Sequence, residues 1–169
     1  LILMINKKKI IAIVPLKKNS VRLKKKNLKL FNNKPLFLWT LLEAKKSKYI
    51  DKIIVTTDSH EAVSISKKNK VLAPFIRPKK LCLKMSSSED VIIHTLQYLK
   101  KNKLKYDYFI LLQPTSPLRD FYVIDKSIEL IPKHKDIDNF ISYTKNKNKI
   151  ANGLIYISKN KFVYPILIA

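Results

Sequence analysis

Glycine is all but missing from this chain: Gly153 is the only one in 169 residues. A Walker-type phosphate loop is built from glycines, so that motif is excluded from the lysine-rich stretch near the N-terminus. Cysteine is equally scarce. Cys82 stands alone, which rules out an internal disulfide and any multi-cysteine metal cage and fits a cytoplasmic location. No histidine lies near it in sequence to activate it, so Cys82 reads as a small buried or half-buried side chain rather than a nucleophile. Long apolar runs are absent too. Phe109 to Leu112 and Ile166 to Ala169 fall far short of the roughly 20 residues that a membrane-spanning helix needs, and a soluble protein is expected. Lys7, Lys8 and Lys9 interrupt the apolar residues between Leu1 and Val14, and no small-residue cleavage site follows, which argues against a secretory signal. Leu1 precedes Met4, so the start is either Met4 or a non-standard initiator.

Acidic residues are few, 12 against 35 Lys and Arg, for a formal charge of +23. A basic balance of that size is the usual footprint of a nucleic-acid binder. Its distribution argues otherwise, because lysines run from Lys7 to Lys161 in the company of Asn and Ile and form no single stripe interleaved with aromatics. The diffuse positive field would still attract a polyanionic small molecule such as a nucleoside triphosphate.

What is present is an alternation of strand and helix patterns. Ile10 to Pro15 is a short, continuous apolar run of the kind buried on both faces of a parallel sheet. Pro35 opens a helical pattern with Leu38, Leu41, Leu42 and Lys45 at three-and-four spacing. Asp51 to Thr57 returns to strand and His60 to Lys68 to helix. Ser86, Ser87, Ser88, Glu89 and Asp90 supply hydroxyl caps and early acids to a helix striped by Val91, Ile92, Thr95, Leu96 and Leu99. Tyr106 to Leu112 is the next strand, Val123 to Ile131 the next helix, and Asn139 to Tyr143 and Leu154 to Ser158 are two further strands. The lysine-rich run from Lys145 to Lys149 is either a hairpin loop or the remnant of a lost segment. At this length, one domain over residues 1–169 is expected. The alternation predicts a three-layer α/β/α sandwich with a mainly parallel sheet, in which ligands gather at the carboxyl ends of the strands. The loops after Pro15, Thr57 and Leu112 are therefore where chemistry is expected.

The first of these loops, Pro15 to Asn27, carries Lys17, Lys18, Arg22, Lys24, Lys25 and Lys26 with the hydrogen-bonding side chains of Ser20 and Asn27. Such a loop suits a triphosphate, whose transfer chemistry depends on positioning and on neutralising charge that moves onto the leaving pyrophosphate. On composition alone it is equally one more solvated basic stretch. The third loop lies in Leu111-Leu112-Gln113-Pro114-Thr115-Ser116-Pro117-Leu118-Arg119, a strand ending in a Pro-bounded turn that offers an amide and two hydroxyls at the sheet edge; the plainer account is a turn that caps the following helix. Arg77, within Phe75-Ile76-Arg77-Pro78, can read the carbonyl edge of a base. Ser87 and Ser88 can either bind a polar ring or anion or simply cap their helix. His94 falls on the apolar side of its helix without metal-like spacing and reads as structural, with His60 and His134 at the surface.

These stretches resemble the cytidylyltransferases that activate sialic acids and 3-deoxy-octulosonic acid. The first loop is similar to the sialic acid pattern P-A-R-x-x-S-K-x-(I/L)-x-x-K-N at Pro15, Ser20, Leu23, Lys26 and Asn27. To the octulosonic pattern P-A-R-x-x-S-x-R-L-P-x-K it is similar at Pro15, Ser20, Arg22, Leu23 and Lys26. Lys17 stands where the family has Arg, which keeps the charge and loses the two-pronged grip on phosphate, and Val21 stands where the sialic acid enzymes have Lys. The stretch from Leu111 to Arg119 resembles the L-L-Q-P-T-S-P-L-R element of the CMP-sialic acid synthetases residue for residue. Arg77-Pro78 and the three serines are similar to the family's base- and ribose-contacting elements, and Asn152 to Ile157 to its P-N-G-x-I-Y-I strand.

The resemblance implies a nucleotide-diphospho-sugar transferase-like, Rossmann-like fold and a transferase reaction in which a sugar acid attacks CTP to give a CMP-sugar and pyrophosphate. It assigns Lys17, Arg22 and Lys26 to the triphosphate, Ser20, Asn27, Arg77, Ser87 and Ser88 to the nucleotide, and Gln113, Thr115 and Ser116 to the acceptor, with Arg119 tying down the turn. It also implies Mg²⁺, for which the family's acidic D-I-D-x-x-x-D element is not found here; Asp58 is the one carboxylate noted near a strand end, and the metal site is not carried onto it. The family is dimeric through an arm of which only Lys145 to Ile150 remains. Two alternatives stay open on sequence: a shortened, inactive nucleotide-binding relic of that family, and, more distantly, a basic nucleic-acid-binding module.

Overall fold

The computed structural model describes residues 8–19, 23–83, 85–133, 139–141, 144–146, 149–151 and 155–159. Its centre is a five-stranded sheet ordered β4-β1-β5-β9-β6: β1 Ile10–Leu16, β4 Lys52–Thr57, β5 Tyr108–Leu112, β6 Asn139–Ile141 and β9 Ile155–Lys159. Strands β4, β1 and β5 are parallel, and β9 runs antiparallel to both β5 and β6. The sheet is thus mainly parallel, as expected.

The continuous apolar runs explain the three layers. Along β1, Ile10, Ala12, Val14 and Leu16 point into one core with Phe37, Leu41 and Ala44 of α1 (Leu36–Lys46), Ala62 of α2 (His60–Lys68), and Ile124 and Ile128 of α4 (Phe121–Ile128). Ile11 and Ile13 point the other way, with Ile54, Phe109 and Leu111, against Ile92 and Leu99 of α3 (Ser88–Lys101). Successive strand residues alternate faces, so strands covered by helices on both sides must be apolar throughout. A short run of isoleucines does that economically, since β-branched side chains suit the pleated surface.

The differences from expectation are local. A small hairpin, β2 (Leu30–Phe31) with β3 (Lys34–Pro35), precedes α1, turning through Asn32 and Asn33 at φ 46° and 61°. Asn tolerates that left-handed conformation better than other side-chain-bearing residues, so an Asn-Asn pair is the sequence signal for the turn. Pro35 ends the hairpin and stands just before the first helical residue rather than inside the first turn. Helix α4 begins two residues earlier than the apolar pattern suggests, because the Asp120 side chain accepts from the N–H groups of Tyr122 and Val123. The lysine-rich run forms a hairpin between β7 (Thr144–Asn146) and β8 (Lys149–Ala151). Among the described residues, no helix is long and apolar enough to cross a membrane.

Candidate active site

Parallel strands deliver their carboxyl ends to one edge, and the register pairs Leu16 at the end of β1 with Thr57 at the end of β4. At that edge lies a cavity of about 300 Å³. Four segments build it: Lys17 and Asn19 after β1 with Lys26 and Asn27 from the following turn, Arg77, Ser86 to Ser88 at the head of α3, and Gln113 to Thr115 after β5. No carboxylate is among its lining residues.

Each segment is held by identifiable contacts. The turn Lys26–Leu28 starts from Lys25 in the left-handed region at φ 53° and swings Asn27 back under the loop, where its Nδ2 donates to the Lys17 carbonyl at 3.4 Å. Asn27 is buried, and its Oδ1 has no hydrogen-bond partner among the described residues. A buried acceptor left unpaired costs about 1–3 kcal/mol, so this oxygen has an unmet demand for an N–H or O–H donor. Lys17 extends across the loop and donates from Nζ to the Leu83 carbonyl at 2.8 Å. The Lys18 N–H donates to Asp58 Oδ1 at 2.6 Å.

Arg77 is only 2% exposed. Its backbone N–H donates to the Thr57 carbonyl at 2.7 Å, its Nε to Thr56 Oγ1 at 3.3 Å, and its Nη2 to the carbonyls of Leu16 and Thr56. The guanidinium therefore ties the carboxyl ends of β1 and β4 together, and the cavity meets it as a buried positive charge more than as an open two-pronged fork. Burial lowers its pKa, while the charges of Cys82 and Asp58 act in the opposite direction. The Cys82 thiol donates to the carbonyl of Pro78 at 3.4 Å, and burial raises its pKa; both features belong to a structural cysteine, as expected.

Ser87 caps α3: its Oγ accepts from the Asp90 N–H at 3.0 Å while Asp90 Oδ2 accepts from the Ser87 N–H at 3.3 Å. The capping account of the serines thus holds for Ser87, although accepting one bond leaves a hydroxyl its own proton to donate. On the far side, Arg119 donates from Nη2 to the Gln113 carbonyl at 3.0 Å, so it ties down the turn that presents Gln113 and Thr115. Burial pushes its pKa down to about 10.

The structure brings together Lys17, Lys26, Asn27, Arg77, Ser87, Ser88, Gln113 and Thr115 of the expected residues. Ser116 is not among the lining; it sits in the turn, its carbonyl accepting from the Arg119 N–H at 3.2 Å. Ser20 and Arg22 lie outside the described residues. Asn19 lines the cavity without having been singled out, and Ser86, expected only as one of the three serines, lines it too; Ser86 Oγ donates to the Lys80 carbonyl at 2.7 Å. Their positions, between a lysine-rich loop and the next expected residue in one case and at the head of the serine run in the other, were the available signals. His94 stays out of the cavity, its ring edge-on to Phe75 at 4.8 Å. No group of three or more His, Cys, Asp or Glu able to hold a metal ion occurs among the described residues. With no carboxylate on the cavity wall, these residues do not by themselves fit a Mg²⁺ site, which is usually built on one or two carboxylates plus phosphate oxygens.

Comparison with known proteins bears on family and fold. Residues 11–161 match the family model described as cytidylyltransferase. The chain is 35% identical over 139 residues to the N-acylneuraminate cytidylyltransferase of Escherichia coli O18:K1:H7, an alignment covering 82% of this chain and 32% of that protein. It is 30% identical over 122 residues to the CMP-N,N'-diacetyllegionaminic acid synthase of Legionella pneumophila, covering 72% and 53%. Its fold matches that of a CMP:2-keto-3-deoxy-manno-octonic acid synthetase solved with CTP, with a TM-score of 0.68 at 15% identity, covering 90% of this chain and 74% of that one. The chain thus spans about a third of the first relative and about half of the second.

Proposed function

This chain belongs to the cytidylyltransferase family, and from that premise we propose that the carboxyl-edge cavity binds CTP and a sialic-acid-type sugar acid and joins them as a CMP-sugar. The observation that carries the proposal is the buried, unpartnered Asn27 Oδ1 in a cavity lined by Lys17, Lys26 and Arg77 and by no acid. An acceptor that can meet a nucleoside donor and cations that can meet phosphates are both present, and no carboxylate among the described lining residues repels an anion.

The anomeric hydroxyl of the sugar acid attacks the α-phosphorus of CTP. One O–P bond forms, the bond from the α-phosphorus to the bridging oxygen breaks, and the hydroxyl proton passes to solvent. No covalent enzyme intermediate is required. Negative charge accumulates on the departing pyrophosphate, and fixed cations that are already in place stabilise it without reorganisation. Lys17 and Lys26 take that role, with Arg22 of the same loop. Arg77 adds its buried charge where the triphosphate meets the strand ends. Asn27, Ser20, Ser87 and Ser88 hold the nucleoside, and Gln113 and Thr115 orient the acceptor. An acidic acceptor is consistent with the same positive wall, and the relatives named above carry neuraminate and legionaminic acid in their names. The described lining residues, without a carboxylate, do not fit Mg²⁺.

Pyrophosphate release tests the proposal, measured with CTP, Mg²⁺ and N-acetylneuraminate, then with octulosonate, then with ATP in place of CTP. Release requiring both CTP and a sugar acid is expected, together with a CTP-specific rise in Tm. Absence of both signals would contradict the assignment.

A further inference from the structure

Asp58 lies outside the cavity, yet it touches the loop that supplies most of the cavity's charge. It follows β4 directly, one step beyond the Leu16–Thr57 register pair, so it leaves the sheet beside the first residues after β1. Its backbone is held on both sides. Thr57 is fully buried and its Oγ1 accepts from the Ser59 N–H at 3.1 Å, while Ser59 caps α2 by accepting from the Ala62 N–H at 3.2 Å. From this fixed point the short carboxylate reaches the Lys18 N–H at 2.6 Å. Lys17 and Asn19, the residues flanking Lys18, both line the cavity, and its charge also bears on Arg77.

We infer that Asp58 is a positioning residue for the phosphate-facing loop: by accepting the Lys18 N–H it sets the direction in which Lys17 and Asn19 enter the cavity. After Leu16 the described start of the loop, Lys17 and Lys18, is held by contacts from other segments of the chain. Three are evident among the described residues: the Asp58 carboxylate on the Lys18 N–H at 2.6 Å, the Leu83 carbonyl on Lys17 Nζ at 2.8 Å, and a longer one from Asn27 Nδ2 to the Lys17 carbonyl at 3.4 Å. The second must be surrendered whenever Lys17 turns to a phosphate. The first engages the loop only through its Lys18 backbone N–H, so it persists with ligand bound. Asp58 is the anchor that keeps the loop in register while Lys17 changes partner. Its consequence for affinity rests on the CTP reading of the cavity; the anchoring itself does not.

The test compares Asp58→Ala, which removes the acceptor, with Asp58→Asn, which keeps an oxygen and removes the charge. Amide hydrogen exchange at Lys18 is read without ligand, and CTP affinity is read by calorimetry in the absence of divalent metal, so that metal ligation contributes nothing. Asp58→Ala is expected to accelerate Lys18 exchange and to weaken CTP roughly tenfold, the scale of a hydrogen bond to a charged group. Asp58→Asn is expected to stay within about threefold of the parent in both readouts. Unchanged Lys18 exchange in Asp58→Ala would overturn the inference. So would faster exchange with unchanged CTP affinity, or an Asp58→Asn protein as impaired as Asp58→Ala, which would make charge rather than geometry the cause. A parent chain that fails to bind CTP would defeat the nucleotide reading and the affinity consequence, while Lys18 exchange would still decide the anchoring.

Discussion

The two ends of the central sheet invite the same functional claim and differ in what supports it. The amino end has the larger cavity, about 380 Å³, lined by Lys9, Lys52, Lys103 and Lys105 with Ile10, Ile11, Asp51, Leu104 and Tyr106. The carboxyl end has about 300 Å³, with Lys17, Lys26 and Arg77 as the cations among its described lining residues. Lysine number and volume would choose the amino end. Its one acid is already matched: Asp51 Oδ2 accepts from the Ile10 N–H at 2.7 Å, and the Asp51 N–H donates to the Ile10 carbonyl at 2.9 Å. Burial pushes the Tyr106 phenol up to about 12, so it stays protonated. Helix α3 ends there, and the carbonyl end of a helix carries partial negative charge that its lysines complement. At the carboxyl end the same helix begins, presenting N–H groups and hydroxyls, and a buried acceptor awaits a donor. In a protein this basic, the proposed site rests on an unsatisfied group and helix direction, where charge density alone would choose the other end.

The comparison can be broken most forcefully at Arg77. Replacing it with Met removes donors from the carbonyls of Leu16 and Thr56 at the junction of β1 and β4. Urea titration is expected to show a loss of about 3 kcal/mol, against less than about 0.5 kcal/mol for Lys52→Met at the amino end. Equal losses would mean that Arg77 is not the tie described. Next in size, Lys17→Ala and Lys26→Ala are each expected to weaken CTP about tenfold, or 1.4 kcal/mol, while Lys103→Ala and Lys105→Ala change it by less than about twofold at fixed salt. Calorimetry reads this directly, and a uniform effect across all four would mark diffuse attraction.

Smaller effects sharpen the contrast along α3 itself. Ser87→Ala removes the N-cap and should lower stability by about 1 kcal/mol. Asn102→Ala at the other end, where the side chain donates to the Tyr98 carbonyl, should cost only a few tenths of a kcal/mol. The smallest effect belongs to His94, whose pKa is lowered first by burial and then by the charges of Arg77 and Lys80. The unfolded chain takes up that proton near pH 6.5 while the folded chain does not. Stability is therefore fully present above about pH 6.5 and declines as the pH falls below it. Thermal melts from pH 7.5 downward should show this slope, and His94→Phe should flatten it before the carboxylates titrate.

Much of the fold is legible in the residues because burial on both faces leaves a distinctive signature: Ile10 to Val14, Ile53 to Val55 and Phe109 to Leu112 admit few polar interruptions. The β2–β3 hairpin was missed, since two exposed two-residue strands carry no burial pattern and only Asn32-Asn33 betrays the turn. The site was legible where a residue stands in a recognisable run, as Gln113 and Thr115 do. It was less legible where the role depends on distant partners. Arg77 meets Leu16 across 61 positions of sequence, and Lys17 meets Leu83 across 66; parallel crossovers create those contacts, and no local pattern encodes them. Ser116 shows the opposite limit, a residue inside a strong motif whose backbone shapes the turn.

Amide hydrogen exchange mapped along the chain with and without saturating CTP is the most direct test of the claim that the carboxyl end is the nucleotide site. Slowed exchange is predicted at residues 17–19, 26–27 and 86–88 and at 113–115, with no change at residues 9–11 and 103–106. Protection confined to the amino end, or protection nowhere, would contradict it.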